Sequence, residues 1–377
     1  MPIIQQTTIE EIVAGLPELE PLDDQLKRIT ERRLLISAAG FEDRARDRVE
    51  RDGHIWESVL VITYPTNPKD NEAGLQAIEA LSANVKPQHV VYARSTFWND
   101  VRNFLDGLPG QGEGVFVVVD VSGMSSYAFY PLMEGIRRSL PRARLGIVYI
   151  EADRYHPEQQ AWGAFRSSLA DLTNPLTVAE HYQSAGRFES RGPAEVYASQ
   201  IFPGSNPEPL ATQLVVVPSF GLERIKEMIA FAEDQYNAAR ADMKWLYGNP
   251  PDRQKNGWRL EALLELYCAK DDPGAIPVST RIYTEMFRAL DDMWHATHLD
   301  RHMVIATVGS KMQHLATYLF LCAHPEVGLI LSEPKSFDAQ HYSDGIGPRW
   351  WLNLGRVQEL SSLLHNYGHL RFSWCSD

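Results

Sequence analysis

Two short turns carry the residues of this 377-residue chain best suited to chemistry, Asp120-Val121-Ser122-Gly123-Met124-Ser125 and Thr307-Val308-Gly309-Ser310-Lys311-Met312. Each places a glycine and a hydroxyl after an apolar run and just before an amphipathic stretch. At a helix start the first backbone N–H groups lack intrahelical partners and the dipole is positive, so such a turn suits phosphate or another anion. Lys311 adds a full charge to the second turn, and Ser310 a hydroxyl donor; the first turn has no lysine. The same residues also suit a structural role, with Ser122, Ser125 and Ser310 as N-caps and Gly123 and Gly309 as tight-turn residues.

A second set recurs after two other apolar runs: Glu42, Asp43 and Arg44 in one place, Ser219, Glu223 and Arg224 in another. Either these are acids and arginines paired at helix starts, or the two arginines face a shared cleft and clamp phosphates. If the protein is an enzyme, Asp120 and Glu42 would supply acid–base chemistry while Lys311 stabilises developing charge. Glu151 and Glu333 end a further pair of apolar runs, where a carboxylate could accept from a ribose hydroxyl or a base edge. The glycine-rich stretch 107–114 precedes an apolar run instead of joining one to a helix, so it is not a phosphate loop, and the usual NTPase and serine-hydrolase signatures are missing. His295, His298 and His302 with Asp291 have a spacing compatible with a metal, but helix-end histidines are common. No metal and no cofactor are expected.

These residues must be positioned by elements, and the elements are stated twice. Leu34–Arg44 reappears without a gap as Leu214–Arg224, Val61–Tyr64 as Lys244–Tyr247, Val117–Met124 as Met303–Ser310, and Gly146–Glu151 as Gly328–Glu333. Four matches in one order point to a duplication. Short Val- and Ile-rich runs alternating with longer amphipathic stretches predict parallel strands joined by helices. The fold class is therefore α/β, as two tandem Rossmann-like open parallel sheets. The boundaries read as a lead-in helix over 1–30, a first unit over 31–153, a structured connection over 154–209, a second unit over 210–334 and a C-terminal extension over 335–377. In such sheets ligands bind beyond the carboxyl ends of the strands, where both sets of polar residues fall.

Composition narrows the partners. A net charge of -13 argues against extensive nucleic-acid binding, which needs many Lys and Arg on phosphates. Cys268, Cys322 and Cys375 are odd in number and far apart, and no apolar run is long enough to span a bilayer. A cytoplasmic protein without a membrane partner is expected.

The second turn, Met303-Val304-Ile305-Ala306-Thr307-Val308-Gly309-Ser310-Lys311-Met312, resembles the Thr-Gly-Gly-Thr-Lys-x-Met segment of CARF domains and the related SAVED domains. The resemblance implies a Rossmann-like sensor of cyclic oligonucleotides in bacterial antiviral systems, with two units holding one ligand across their interface. It further implies that the protein either signals to an effector protein as partner or acts on its ligand itself. The expected ligand site is then Gly309, Ser310 and Lys311, closed by Arg44 and Arg224, with Ser122, Gly123, Met124 and Ser125 opposite and Ser219 beside it. Two other readings remain open: a phosphodiesterase or nucleotide hydrolase in the same cleft, and an adaptor that binds no small molecule.

Overall fold

The computed structural model describes residues 8–80, 85–170, 189–205, 210–239, 242–267, 272 and 274–372. Along the first half run α1 (Ile9–Gly15), β1 (Glu20–Pro21), β2 (Arg32–Ala39), α2 (Asp43–Asp52), β3 (Ser58–Thr63), α3 (Glu72–Ala80), β4 (Gln88–Val91), α4 (Phe97–Asp106), β5 (Val115–Asp120), α5 (Ser126–Ser139) and β6 (Arg144–Ile150). Then come β7 (Arg154–Tyr155), α6 (Gln159–Ala170), β8 (Ser190–Pro203), β9 (Ala211–Val217), α7 (Leu222–Tyr236), β10 (Lys244–Asn249), α8 (Arg253–Asn256) and α9 (Trp258–Leu266). The chain ends with β11 (Ala275–Ser279), α10 (Tyr283–Thr297), β12 (Arg301–Thr307), α11 (Lys311–Ala323), β13 (Gly328–Phe337), β14 (Ser343–Asp344), β15 (Arg349–Arg356) and α12 (Val357–Phe372).

Both halves build the expected parallel sheet. The first has the order β6-β5-β2-β3-β4 and the second β13-β12-β9-β10-β11, so each runs 3-2-1-4-5 in its own numbering, with strand order reversing between its first and fourth strands. Alternation sets the two faces of each strand: Leu34, Ile36, Val117 and Val119 point into one core, and Leu35 and Val118 into another. The first of these cores is common to both halves. It joins the first sheet to Val215, Val217 and Ile305 of the second through Tyr127, Tyr130 and Met133 of α5 and Leu315, Tyr318 and Leu319 of α11. Tyr130 Oη lies 3.0 Å from His314 Nδ1, and Tyr318 Oη donates to Met133 O at 3.1 Å, so the α5–α11 seam also satisfies its buried polar groups.

The stretches on either side of the second unit do not lie apart from the sheets. β15, from the C-terminal extension, pairs antiparallel with β6 of the first sheet, and β1 pairs with β15. β8, from the connection after the first unit, pairs antiparallel with β13 of the second sheet. Each of these stretches therefore adds an antiparallel strand beside the fifth strand of the other unit's sheet, which interlocks the two. β7 and β14, which follow the two fifth strands, pair with each other. Part of the connection, 171–188 and 206–209, lies outside the described residues, as do Cys268 and Cys375. Among the described residues no helix is long and apolar enough to cross a membrane.

Candidate functional site

The carboxyl ends of the two sheets open side by side, and the arginines sit alike in both. Arg44 Nη1 donates to Ile150 O at 3.1 Å, and Arg224 Nη2 to Ser332 O at 2.9 Å. Ile150 and Ser332 match one another in the sequence repeat, so each arginine ties the first strand's helix to its own fifth strand. Arg44 is otherwise spent: Nε and Nη2 donate to Glu42 Oε1 at 3.0 and 2.6 Å, and Nη1 also to Tyr155 Oη at 3.1 Å. Arg224 has slack. Its Nε reaches Ser332 Oγ at 3.3 Å, and its Nη1 has no partner among the described residues.

The strand-four turns differ in length, which overturns a gapless match between them. Four residues separate Asp120 from the helix cap Ser125, but only two separate Thr307 from the cap Ser310. The longer turn folds inward. Ser122 is fully buried and its Oγ accepts from Ile150 N at 2.9 Å, while a Cβ on Gly123 would collide with Ala45. Asp120 lies beneath this turn, 1% exposed, accepting from Ser122 N at 2.9 Å, and burial pushes its carboxyl up to about 6. It lines neither cavity of the cleft. Gly123, Met124 and Ser125 border a small cavity of about 40 Å³ whose space is largely taken by Phe41, Tyr64, Tyr127, Phe337 and Tyr342. Ser343 Oγ donates to Glu42 Oε1 at 2.6 Å, so Glu42 holds Arg44 and the C-terminal tail together.

The second crevice is open, with a cavity of about 380 Å³, inside the range of small-molecule sites. Ser310 begins α11 with a capping box: its Oγ accepts from Gln313 N at 3.2 Å, and Gln313 Oε1 accepts from Ser310 N at 2.8 Å. The Ser310 hydroxyl also donates to Thr280 O at 2.6 Å, so it is not the free donor its position suggested. Two donor sets remain. The N–H groups of Lys311 and Met312 lack intrahelical acceptors, and Gln313 Nε2 has no partner among the described residues although the residue is 1% exposed. A Cβ at Gly309 would collide with Gln313 Oε1, so this glycine lets the amide fold back beside the turn.

Lys311 is half-buried and borders both cavities. Burial pushes its ammonium down to about 8, with Arg44 and Arg224 acting in the same direction and Glu42 and Glu189 opposing. Arg259 crosses the same cavity, donating to Tyr155 O, Pro157 O and His156 O at 3.1, 2.8 and 3.1 Å and stacking on Phe220 at 4.6 Å. Burial pushes its guanidinium down to about 10. Among the described residues none of Lys311, Arg224 and Arg259 has a carboxylate in ion-pair contact. The cavity's other cations are matched: Arg44 with Glu42, Lys255 with Asp153 and Arg281 with Glu151.

Ser219 lies on the wall of this cavity, its Oγ donating to Glu189 Oε2 at 2.6 Å. Glu151 accepts from Trp350 Nε1 at 2.8 Å, and Arg281 stacks over the Trp350 ring at 4.4 Å. Its repeat counterpart has a similar setting. Glu333 accepts from Tyr92 Oη at 3.4 Å, with Arg94 over Tyr197 at 4.7 Å. Trp350 and Tyr197 hold matching places on the exchanged strands, opposite Tyr149 and Leu331. Both glutamates thus brace the seam between the copies.

Several lining residues escape a reading of the repeat. Gln313 had a readable signal, the Ser-x-x-Gln capping box. Tyr155, His156, Arg281 and Tyr342 had none, because they enter from exchanged tails and loops, and Arg259 had none because its helix, α9, has no counterpart residue in the repeat. No protein-family model matches the chain, and neither does any curated protein. Among solved structures it is similar to the cytoplasmic domain of a prokaryotic cation chloride cotransporter, at 10% identity over 81% of this chain and 96% of that one with a TM-score of 0.22. It is similar also to Can2 from Sulfobacillus thermosulfidooxidans in complex with cyclic tetra-adenylate, at 10% identity over 68% of this chain and 95% of that one with a TM-score of 0.23. A third is the rRNA methyltransferase aviRa from Streptomyces viridochromogenes, at 13% identity over 41% of this chain and 82% of that one with a TM-score of 0.19. Overlaps this slight carry no argument; the fold rests on the strand order and the site on its own geometry.

Proposed function

We propose that the second crevice binds a nucleotide-derived phosphate, one ligand per chain, roofed by the paired tails. The observation that carries this reading is the set of Lys311, Arg224 and Arg259, three cations in one cavity without ion-pair carboxylates among the described residues, in a protein of net charge -13. Buried charge is costly unless matched, and an anionic ligand would match it. The free N–H groups of α11 and Gln313 Nε2 supply directional donors beside those charges. The resemblance of the Thr307–Met312 turn to CARF and SAVED domains places cyclic oligonucleotides first among candidate ligands. Signalling to an effector protein in bacterial antiviral defence or stress would be the corresponding role.

The test is thermal unfolding against mono-, di- and cyclic oligonucleotides. A ligand at a hundred times its Kd adds about 2.7 kcal/mol to stability. For a chain of 377 residues that raises Tm by about 3 °C. No shift from any member of the panel would favour the adaptor reading instead.

A further inference from the structure

The roof of the cavity carries a histidine–carboxylate pair that binding alone leaves unused. β7 and β14, the segments that follow the two fifth strands, pair through Tyr155 with Ser343 and Arg154 with Asp344. Just past this ribbon His156 Nε2 lies 3.0 Å from Asp344 Oδ2, and the imidazole is 14% exposed. Its backbone is pinned on both sides, His156 N donating to Tyr342 O at 3.1 Å and Arg259 Nη2 donating to His156 O at 3.1 Å. Nδ1 makes no hydrogen bond with any described residue, and it is not among the sealed polar atoms. His156 lines the same cavity as Lys311 and Arg224.

A carboxylate on Nε2 fixes the tautomer that carries the proton there, leaving the Nδ1 lone pair free to accept one, and it steadies the imidazolium that results. That is the arrangement of a general base. Asp120 and Glu42 do not offer it: Asp120 lies under its own turn away from the cavities, and Glu42 is held by Arg44 and Ser343. We propose that the cavity hydrolyses a phosphodiester of a nucleotide ligand, with His156 as general base and Asp344 as its positioning residue. The inference rests on the binding reading above. A phosphodiester-linked oligonucleotide is the matching class because each phosphorus presents one negative charge, so two of its phosphates balance Lys311 and the free edge of Arg224. In the step, a water oxygen bonds to phosphorus as Nδ1 takes its proton, and the P–O bond to one ester group breaks. The leaving oxygen takes a proton from Lys311 Nζ, and solvent returns each group to its starting state.

The experiment uses the full chain with linear and cyclic di- to tetranucleotides of adenosine and guanosine. Calorimetry reads binding and chromatography reads conversion. Wild type should convert a ligand that it binds. His156→Asn should bind that ligand with Kd within about threefold while conversion slows by about 10²–10⁴-fold, the usual contribution of a general base. Asp344→Asn should lower kcat at least tenfold with KM unchanged, and Asp344→Glu should recover part of it. His156→Gln serves in place of His156→Asn should the latter melt early. Binding by wild type without conversion, or conversion undiminished in both His156 variants, overturns the proposal and leaves the binding reading standing. Absence of binding across the panel overturns the binding reading, and this inference with it.

Discussion

Replacing Lys311 by methionine should make the empty protein more stable and its hold on a ligand weaker, two effects of opposite sign from one change. The ammonium is charged at neutral pH but held near 8 in the fold, against 10.5 for an ordinary lysine, chiefly because burial strips its water. A gap of that size corresponds to about 3 kcal/mol of cost to the folded state, an upper limit because the side chain is only half-buried. The sign follows from proton counts. Between the folded and unfolded values the unfolded chain binds more protons, so wild-type stability rises with pH across that interval. The advantage of Lys311→Met should therefore be full at pH 7, shrink from pH 8 upward and vanish near pH 10.5. For a 377-residue chain the pH 7 gain amounts to at most about 4 °C in Tm. Methionine fills similar space without charge, so packing changes are small. In the ligand-bound state the variant loses a charge-assisted contact of about 1.5–3 kcal/mol, or roughly 10- to 150-fold in Kd. Urea melts of both proteins from pH 7 to pH 10, with and without the best ligand of the panel, read both effects. A less stable empty variant at pH 7, or an unchanged Kd, would refute the view that Lys311 is an uncompensated cation kept for an anion.

Two further substitutions separate the architecture from the site. Asp120→Asn should stabilise the protein at pH 7 by up to about 3 kcal/mol and leave ligand affinity alone, because the amide oxygen keeps the bond from Ser122 N without a buried charge. Its folded value of about 6 lies above the 3.8 of an ordinary aspartate, so wild-type stability falls as pH rises between them, and the variant's gain should disappear below pH 4; a destabilised variant at pH 7 would contradict this. Gly309→Ala should displace Gln313, loosen the capping box at about 1–3 kcal/mol and weaken binding at least tenfold. Denaturant melts and titrations check the pair, and an alanine variant with wild-type affinity would remove Gln313 from the site.

The sequence carried the sheets well and the site only in part. Each strand's apolar run and each helix's amphipathic stretch is a local signal, and duplication doubled it, so the five parallel strands of each sheet were readable. What the repeat could not carry was the exchange of tails. β8 and β15 pair with β13 and β6, strands that lie far off in the chain, and nothing in Ser190–Pro203 or Arg349–Arg356 marks the partner. The same blindness hid the roof, since Tyr155, His156, Tyr342 and Asp344 meet only once the tails pair. Conversely, the repeated arginines were conspicuous because both do the same structural work on a strand-five carbonyl, and only Arg224 retains a free edge.

Duplication with exchange also accounts for the asymmetry of the cleft. Because each sheet contains a strand of the other copy, and one core passes through both, the two crevices cannot drift apart as the turns diverge. A change in one is then felt as a change in the shared space. The longer Asp120–Ser125 turn and the ring cluster of Phe41, Tyr64 and Tyr127 fill the first crevice, and the wall they build brings Glu42 beside Lys311 of the second. The shorter Thr307–Ser310 turn leaves the other crevice open, with its lysine at the junction of the two cavities. On this view the closed crevice is not a lost site. It is the low-dielectric wall that strips water from Lys311, and so the reason that an anion in the open crevice would meet a cation in need of one.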